Sequence, residues 1–489
     1  MPNIPIPNRE TKEWRGVFPG NHFGDLWQTF NIDLEKTKGR VRLSDKMRIL
    51  TDQDDGAAPG IPYKFLRTNA DATDRFWCLS SSKLLVTAGT NPFVTYAADG
   101  LASSPTDALD MEIHESVNGE QRLVVTRDTD ISMLNRTGVA NAWTVAWWVT
   151  TLAQTALTAS KPHPIARLQR LLAIGDVTLN TTTPRGAIHT IDKDDVVSAS
   201  RLVFDSGFEP RLIYSSKDRF WMGLQNIFGD GAKIIEWDGT SLTYNNEYDL
   251  LGSVPLTGFI VNDIPYFIDT VGYVYKFTGG GFVPVQQFPM VEEQLLFTGG
   301  SPVIAENDGI QPYGSTVAGH LVYIVVAAPA ASRRMRSGVW CFNTKTLDLY
   351  HMRGIGQHKT AGTEVDFGCS PLFRPGAIKY ITIAGRNDLL VGAGVYKNYT
   401  SGTKAVICET VSNRNQASSA GLNRGYFITP YLTIAEAEAL WEGLWLKFKR
   451  FNSSSNQITA KWRVVDPLRD ASASDESVLQ ATGTWATTT

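Results

Sequence analysis

Short apolar runs of β-branched and aromatic residues, each bounded by Gly, Asp or Asn, recur along most of the chain. The clearest copy is Arg211–Gly239, RLIYSSKDRFWMGLQNIFGDGAKIIEWDG, and a closely similar one follows at once, Leu256–Gly279, LTGFIVNDIPYFIDTVGYVYKFTG. Each reads as three short strands separated by polar turns. A unit of that size cannot bury both of its faces alone, so it has to stack on others. A period of roughly 40 to 50 residues with several strands per repeat predicts β-propeller blades.

Further copies flank this pair. Leu168–Asp192 precedes it, and His320–Met352 follows with LVYIVVAA as inner strands and GVWCFNTKTLDLYHM as outer ones. Lys379–Val411 repeats the form with YITIAG, LLVGAG and AVICETV, while Asp74–Thr95 and Gln121–Trp148 are upstream units of looser fit. The expected fold is therefore an all-β β-propeller of about seven blades. An N-terminal arm and hairpin are expected over residues 1–60, the propeller over 61–418, and a C-terminal β-hairpin module with a tail over 419–489.

The two ends depart from the repeat. FNIDLEKTKGRVRLSDKMRIL turns at Lys38-Gly39 and returns with Val41, Leu43 and Met47 between charges, and Thr51–Gly60 has the composition of a linker. Near the other end Gly425–Leu432 reads as a strand, Ile434–Glu442 holds a short helical pattern, and Leu444–Phe451 and Gln457–Val465 alternate around NSSSN as an antiparallel hairpin. The Ala-, Ser- and Thr-rich tail from Asp466 and the Pro-rich arm have too little apolar surface to order themselves. Contacts from neighbouring subunits are expected to order both.

Composition agrees with a large all-β body. Hydrophobic residues make up 43% and charged ones 19%, and 42 Gly and 23 Pro suit many strands and turns. Long helical periodicity is absent; Asn141–Ser160 is the best remaining candidate and is Thr- and Trp-rich. The net charge of −3 gives the whole chain no electrostatic footprint for nucleic acid. MPNIPIPNRETKEW lacks the charged and apolar regions of a signal peptide, and no apolar run approaches the roughly 20 residues that span a bilayer. Synthesis in a cytosol, without an export signal, is the expectation. Cys78, Cys341, Cys369 and Cys408 are far apart without CxxC or Cys/His spacing, which reads as buried free thiols.

Motifs of chemistry are mostly missing. The chain has no GxGxxG between strand and helix, no P-loop, no HExxH and no GxSxG. Asp52, Asp54 and Asp55 fail the calcium-loop pattern, with Gly at the wrong offset and no closing Glu, and read as a solvated turn. Glycosidase and sialidase propellers place paired carboxylates or an Arg cluster at the channel mouth. Here Asp128, Asp130, Arg201, Asp263 and Arg386 are scattered over blade loops, and no repeated Asp-box is visible. Neither a catalytic, a cofactor nor a metal site is expected. The densest basic run, Arg333, Arg334 and Arg336 in AASRRMRSG, reads either as a solvated loop or as a contact with an acidic partner or DNA phosphates. Trp143, Trp147 and Trp148 suit core packing, whereas Trp441 and Trp445 suit burial under the hairpin or a neighbouring subunit.

AWTVAWW…LTASKPHPIARLQRLLAIGD (Ala142–Asp176), RLIYSSKDRFWMGLQN…AKIIEWDGTSLTYNNEYDL, and GYFITPYL followed by LWLKFKRF resemble propeller-type structural proteins of the tail modules of tailed bacteriophages. The resemblance spans roughly residues 140–465 and is one of pattern, without a catalytic motif. It implies a nozzle, hub or tail-tube component of the virion, packed as a symmetric homo-oligomeric ring and contributing to DNA ejection. Implied partners are other tail proteins, copies of this chain and genomic DNA in the lumen, with synthesis in the host cytoplasm. A glycan-binding or glycan-cleaving propeller at the tail tip and a cellular protein-scaffold propeller are the alternatives.

Overall fold

The computed structural model describes residues 28–30, 32–35, 42–43, 46–53, 61–69, 74–80, 83–87, 89–134, 142–178, 184–228, 231–252, 254–289, 309–328, 335, 337–355, 357–358, 364–365, 374–383, 386–396, 403–411, 426–428, 460–462 and 486–488. Its described residues hold seven four-stranded antiparallel sheets. The first strands of the sheets are Pro62–Thr68, Ala108–Glu115, Ile165–Leu168, Phe208–Ser215, Pro255–Val261, Ser315–Ala318 and Arg374–Ile383. Each packs against the first strand of the next sheet, and the last packs against the first. Sheets arranged in that cyclic order around their first strands are the blades of a β-propeller, numbered here 1 to 7.

Strand alternation explains the stacking. In blade 2, Leu123 and Val125 enter a cluster with Trp77, Leu79 and Val86 of blade 1, whereas the intervening Val124 enters one with Ile165, Leu172 and Ile174 of blade 3. In blade 4, Ile213, Met222 and Ile235 face blade 3, and Leu212, Trp221 and Ile234 face blade 5. A blade is thus buried on both faces, which is why its strands read as nearly unbroken apolar runs instead of alternating ones. The two clearest units show three strands each, because the fourth strand of their blades is outermost and more polar; Asn246–Leu250 of blade 4 is mostly exposed.

Ring closure uses the N-terminal region. Lys46–Gln53, read from sequence as the return of an arm running into a linker, is the outermost strand of blade 7, pairing antiparallel with Thr403–Val411. The sequence shows no trace of this because the two strands are more than 350 residues apart and only the circular path brings them together. At the seam between blades 7 and 1, Gly376 and Gly392 crowd Pro62. A methyl group on Gly392 would lie 2.3 Å from Pro62 Cβ and 3.0 Å from its carbonyl oxygen.

The terminal region has structure of its own. Gln28–Phe30 pairs with Tyr426–Ile428, and Ile32–Asp33 with Arg42–Leu43. Thr29 Oγ1 accepts the His351 amide at 2.8 Å and Glu35 Oε1 accepts Asn343 Nδ2 at 2.8 Å, so this part of the arm lies on the outer edge of blade 6 of its own chain. Residues 430–489 form a separate compact unit. Within it Ala460–Trp462 pairs with Ala486–Thr488. The tail contributes that strand, and the expected hairpin partner Leu444–Phe451 lies outside the described residues, as do the helical pattern at 434–442 and most of the arm. Asn141–Ser160 forms no regular helix: Trp143–Thr144 is a strand and Trp147–Thr151 a single π-turn.

Replacing Gly392 by Ala is expected to cost about 3 kcal/mol, since the added carbon meets backbone and a rigid proline ring. Urea unfolding checks this, and an unchanged midpoint would show that the seam opens freely.

Candidate functional site at the propeller axis

Polar residues interrupt the apolar first strands and meet at the axis. Asp110, the third residue of Ala108–Glu115, is buried. Its Oδ1 accepts Lys64 Nζ at 3.0 Å and the Met111 amide at 2.6 Å, and its Oδ2 accepts the Ile165 amide at 3.0 Å and the Tyr313 hydroxyl. Lys64 also stands 3.6 Å from Glu112 Oε2 and places its ammonium 4.1 Å from the centre of the Tyr313 ring.

Tyr313, just ahead of the first strand of blade 6, is the hub. Its ring meets Tyr63 of blade 1 edge-on at 5.6 Å and Tyr214 of blade 4 at 6.4 Å, and its carbonyl accepts the Ile378 amide of blade 7 at 3.0 Å. The preceding Pro312 carbonyl accepts the hydroxyls of Tyr214 and of Thr257 in blade 5, the latter at 2.8 Å. One dipeptide, Pro312-Tyr313, therefore collects side chains or backbone of blades 1, 2, 4, 5 and 7, and through Asp110 also blade 3. Side chains meeting at these distances fill the axis at this level.

Burial sets the electrostatics. It raises the Asp110 carboxyl above the ordinary carboxylate range, against the opposing pull of the Lys64 charge and the Tyr313 hydroxyl. Tyr313 is pushed well above the usual phenol value by burial and by the Asp110 charge, so it stays the donor. Burial also pushes Tyr214 up to about 12 and pulls Arg211 down to about 10. Lys379, on the first strand of blade 7, reaches solvent but is enclosed by the surrounding blades. That enclosure lowers its pKa, with Glu112 opposing the shift and Lys64 reinforcing it. Beside this cluster Lys161 donates to Glu209 Oε1 at 2.6 Å, and Glu209 Oε2 is buried without a hydrogen-bond partner.

The acidic and basic residues singled out from sequence do not converge. Asp128 accepts the Ser160 amide at 2.6 Å, Asp130 caps the Ile131 amide at 2.7 Å, and Arg201 donates to the Thr240 carbonyl. Asp263 sits in the tight turn of blade 5 with φ 63°, and Arg386 opens the second strand of blade 7. They are spread over blades 2, 3, 5 and 7, and the bonds of Asp128, Asp130 and Arg201 are to backbone groups. Trp143, Trp147 and Trp148 are core residues, and Cys78 and Cys341 are free and buried. Cys408 lies in the third strand of blade 7. Arg333, Arg334, Arg336, Trp441, Trp445 and Cys369 lie outside the described residues. Sequence reasoning missed Lys64, Asp110 and Tyr313. The readable signal was a charge inside an apolar run, as in PYKFL, ALDMEI and PRLIY; Tyr313, in a connecting segment, carried none.

No family model matches the chain, and no curated protein matches it. Among solved structures it is similar to the CNH domain of AfRom2, at 8% identity and TM-score 0.40 over 76% of this chain and 100% of that one. It is also similar to the β-propeller domain of Cps50 (Swd1) of Myceliophteria thermophila, at 9% and 0.41 over 75% and 100%, and to BBS1N in complex with ARL6DN, at 11% and 0.38 over 76% and 99%. The class of protein is an all-β propeller, and the strand order established above carries that statement.

Asp110→Asn is expected to cost about 3–5 kcal/mol, because it takes from the buried Lys64 ammonium the nearer and more buried of its two carboxylates, leaving only Glu112 at 3.6 Å. A Lys64→Met, Asp110→Leu double variant should recover part of that loss in chemical unfolding. Lys379 supplies a pH test. Its folded pKa lies below the unfolded one, so the unfolded chain holds the extra proton and this residue's contribution to stability rises with pH up to the ordinary lysine value. Urea midpoints between pH 7 and 10 should rise less steeply in Lys379→Met than in the unsubstituted chain.

Proposed function

We propose that the chain is a structural component of a tailed-bacteriophage virion, packed in the tail as a symmetric ring at the nozzle, hub or tube end and acting without turnover of a substrate. The reading rests on the sequence resemblance, and the axial cluster is the observation that carries its mechanical side. A propeller whose axis is filled by paired charges and tyrosines is a closed, stiff body, suited to bearing contacts on its faces and rims. The acidic groups of the described axis are engaged in internal pairs, with Asp110 on Lys64 and Tyr313 and Glu209 on Lys161. On this reading the DNA conduit runs between copies of the chain around the tail axis, because a duplex cannot thread a filled propeller.

Exposed apolar side chains fit subunit contacts. Phe228, held by the Asn226 side chain at 2.9 Å and lying over Gly207, is 64% exposed, and Leu251 at the same end of blade 4 is 70% exposed.

Mass spectrometry and electron microscopy of purified particles test the proposal by locating the chain relative to the tail axis; a chain absent from the particles ends it. The isolated protein should hydrolyse neither sialosides, polysaccharides nor peptidoglycan. Replacing Phe228 by Ser, or Arg333, Arg334 and Arg336 together by Ser, should lower particle yield while the purified chain keeps its thermal midpoint.

A further inference from the structure

Lys379 stands on the first strand of blade 7, Arg374–Ile383, opposite Leu390 of the second strand. Strand alternation sorts its neighbours. Ile378 and Tyr380 turn towards blade 6, where they join Val325 and Tyr323, whereas Ala377 and Ile381 enter the cluster of Phe65, Phe76 and Leu85 in blade 1. The Lys379 side chain therefore leaves the strand on the blade 1 side, between Ala377 and Ile381. The backbone is pinned on both sides of it, by the Ile378 amide on the Tyr313 carbonyl at 3.0 Å and by the Tyr380 amide on Thr316 Oγ1 at 3.0 Å. From this fixed position the side chain reaches solvent.

The charges around it are engaged with other groups. On blade 1, Lys64 has Asp110 at 3.0 Å and Glu112 at 3.6 Å, and Arg67 of the same strand pairs with Asp74. On the second strand of blade 7, Asp388 Oδ1 takes the Leu389 amide at 3.1 Å, and Arg386 opens the strand. The first two strands of blade 6, Ser315–Ala318 and Leu321–Val326, carry no charge. Among the described residues Lys379 makes no hydrogen bond and no ion pair. In that it differs from Lys161, Lys193 and Lys233, which pair with Glu209, Asp194 and Glu247.

Such a place favours the uncharged amine. Enclosure by the blades acts against the ammonium, Glu112 acts for it and Lys64 against it, and the balance lowers the Lys379 pKa. A lysine among apolar side chains, beside a second cation and without a carboxylate of its own, is the kind whose nitrogen attacks carbonyl carbon.

We propose that Lys379 is a nucleophilic amine at the propeller axis, a modification site that condenses with small aldehydes to an imine. The nitrogen lone pair forms the C–N bond to the aldehyde carbon. Both amine protons pass to the carbonyl oxygen, which leaves as water, and a C=N bond remains; nothing is oxidised or reduced. The surrounding blades limit the partner to a small molecule.

The experiment treats the full chain with acetaldehyde, traps the imine as N-ethyl lysine with sodium cyanoborohydride, and reads each lysine by peptide mass spectrometry. At pH 7 Lys379 should be ethylated at least about threefold faster than the exposed Lys217 and Lys345, because each unit of lowered pKa gives tenfold more free amine and the weaker base returns part of that gain. As pH rises, its rate should level off below the ordinary lysine value of about 10.4. Glu112→Gln should move the levelling to lower pH, and the Lys64→Met, Asp110→Leu pair should move it to higher pH, with urea midpoints confirming that each variant is folded. In the unsubstituted chain the rate and its pH profile decide by themselves. A rate no greater than that of the two exposed lysines overturns the proposal. So does a fast rate that is still climbing at about pH 10.4, which would show easy access without an activated amine.

Discussion

The hydrogen bond from the Tyr313 hydroxyl to the Asp110 carboxylate is the contact on which the centre of this molecule depends. Around it the polar edges of the first strands have to be satisfied in a space too narrow for bulk water, and an unpaired charge there would be costly. Asp110 answers with four donors, from Lys64, Tyr313, Met111 and Ile165, drawn from separate blades. The ring is consequently joined across its diameter as well as around its circumference.

Circumferential cohesion has a different origin. Between successive blades lie apolar clusters such as Trp77 with Leu123 and Trp143, or Phe220 and Trp237 with Ala166 and Leu202. They hold the sheets face to face without selecting where the ring begins or ends. That choice falls to Lys46–Gln53, whose pairing with Thr403–Val411 completes the seventh sheet from the far end of the chain, and to the bare glycines that let Pro62 approach blade 7. Closure by hydrogen-bonded strands makes the ring cooperative: opening it exposes an edge and two apolar faces together.

A filled axis also bears on function. Under the proposed tail role, the loops and rims would be the surfaces left for partners, and a passage for DNA would have to be built from several copies. The junction of blades 2 and 3 stands apart from the rest of the ring. Its crossover holds the π-turn Trp147–Thr151 and two non-glycine residues at positive φ, Ala153 and Ser160, and joins the polar contacts of His163, His189 and Asp176 to the apolar cluster around Trp147 and Trp148.

What the sequence determined by itself was the repeat. Apolar runs such as RLIYS, FWMGLQN and AKIIEW, spaced by Asp- and Gly-rich turns, each became a strand of one blade, because strand formation and turn chemistry are local and a two-sided apolar strand can only be sandwiched. The outermost strands were less legible: Val197–Ser206 and Asn246–Leu250 are largely polar and partly exposed, and the units drawn from the repeat did not include them. Tertiary structure alone decided the closing strand, the docking of Gln28–Phe30 against Tyr426–Ile428, the pairing of Ala460–Trp462 with the tail, and the meeting of Lys64, Asp110 and Tyr313. The physical reason is the same in each case. These partners are tens to hundreds of residues apart, the energy of their contact appears only once the intervening chain has folded, and nothing in the residues next to them along the chain is altered by it.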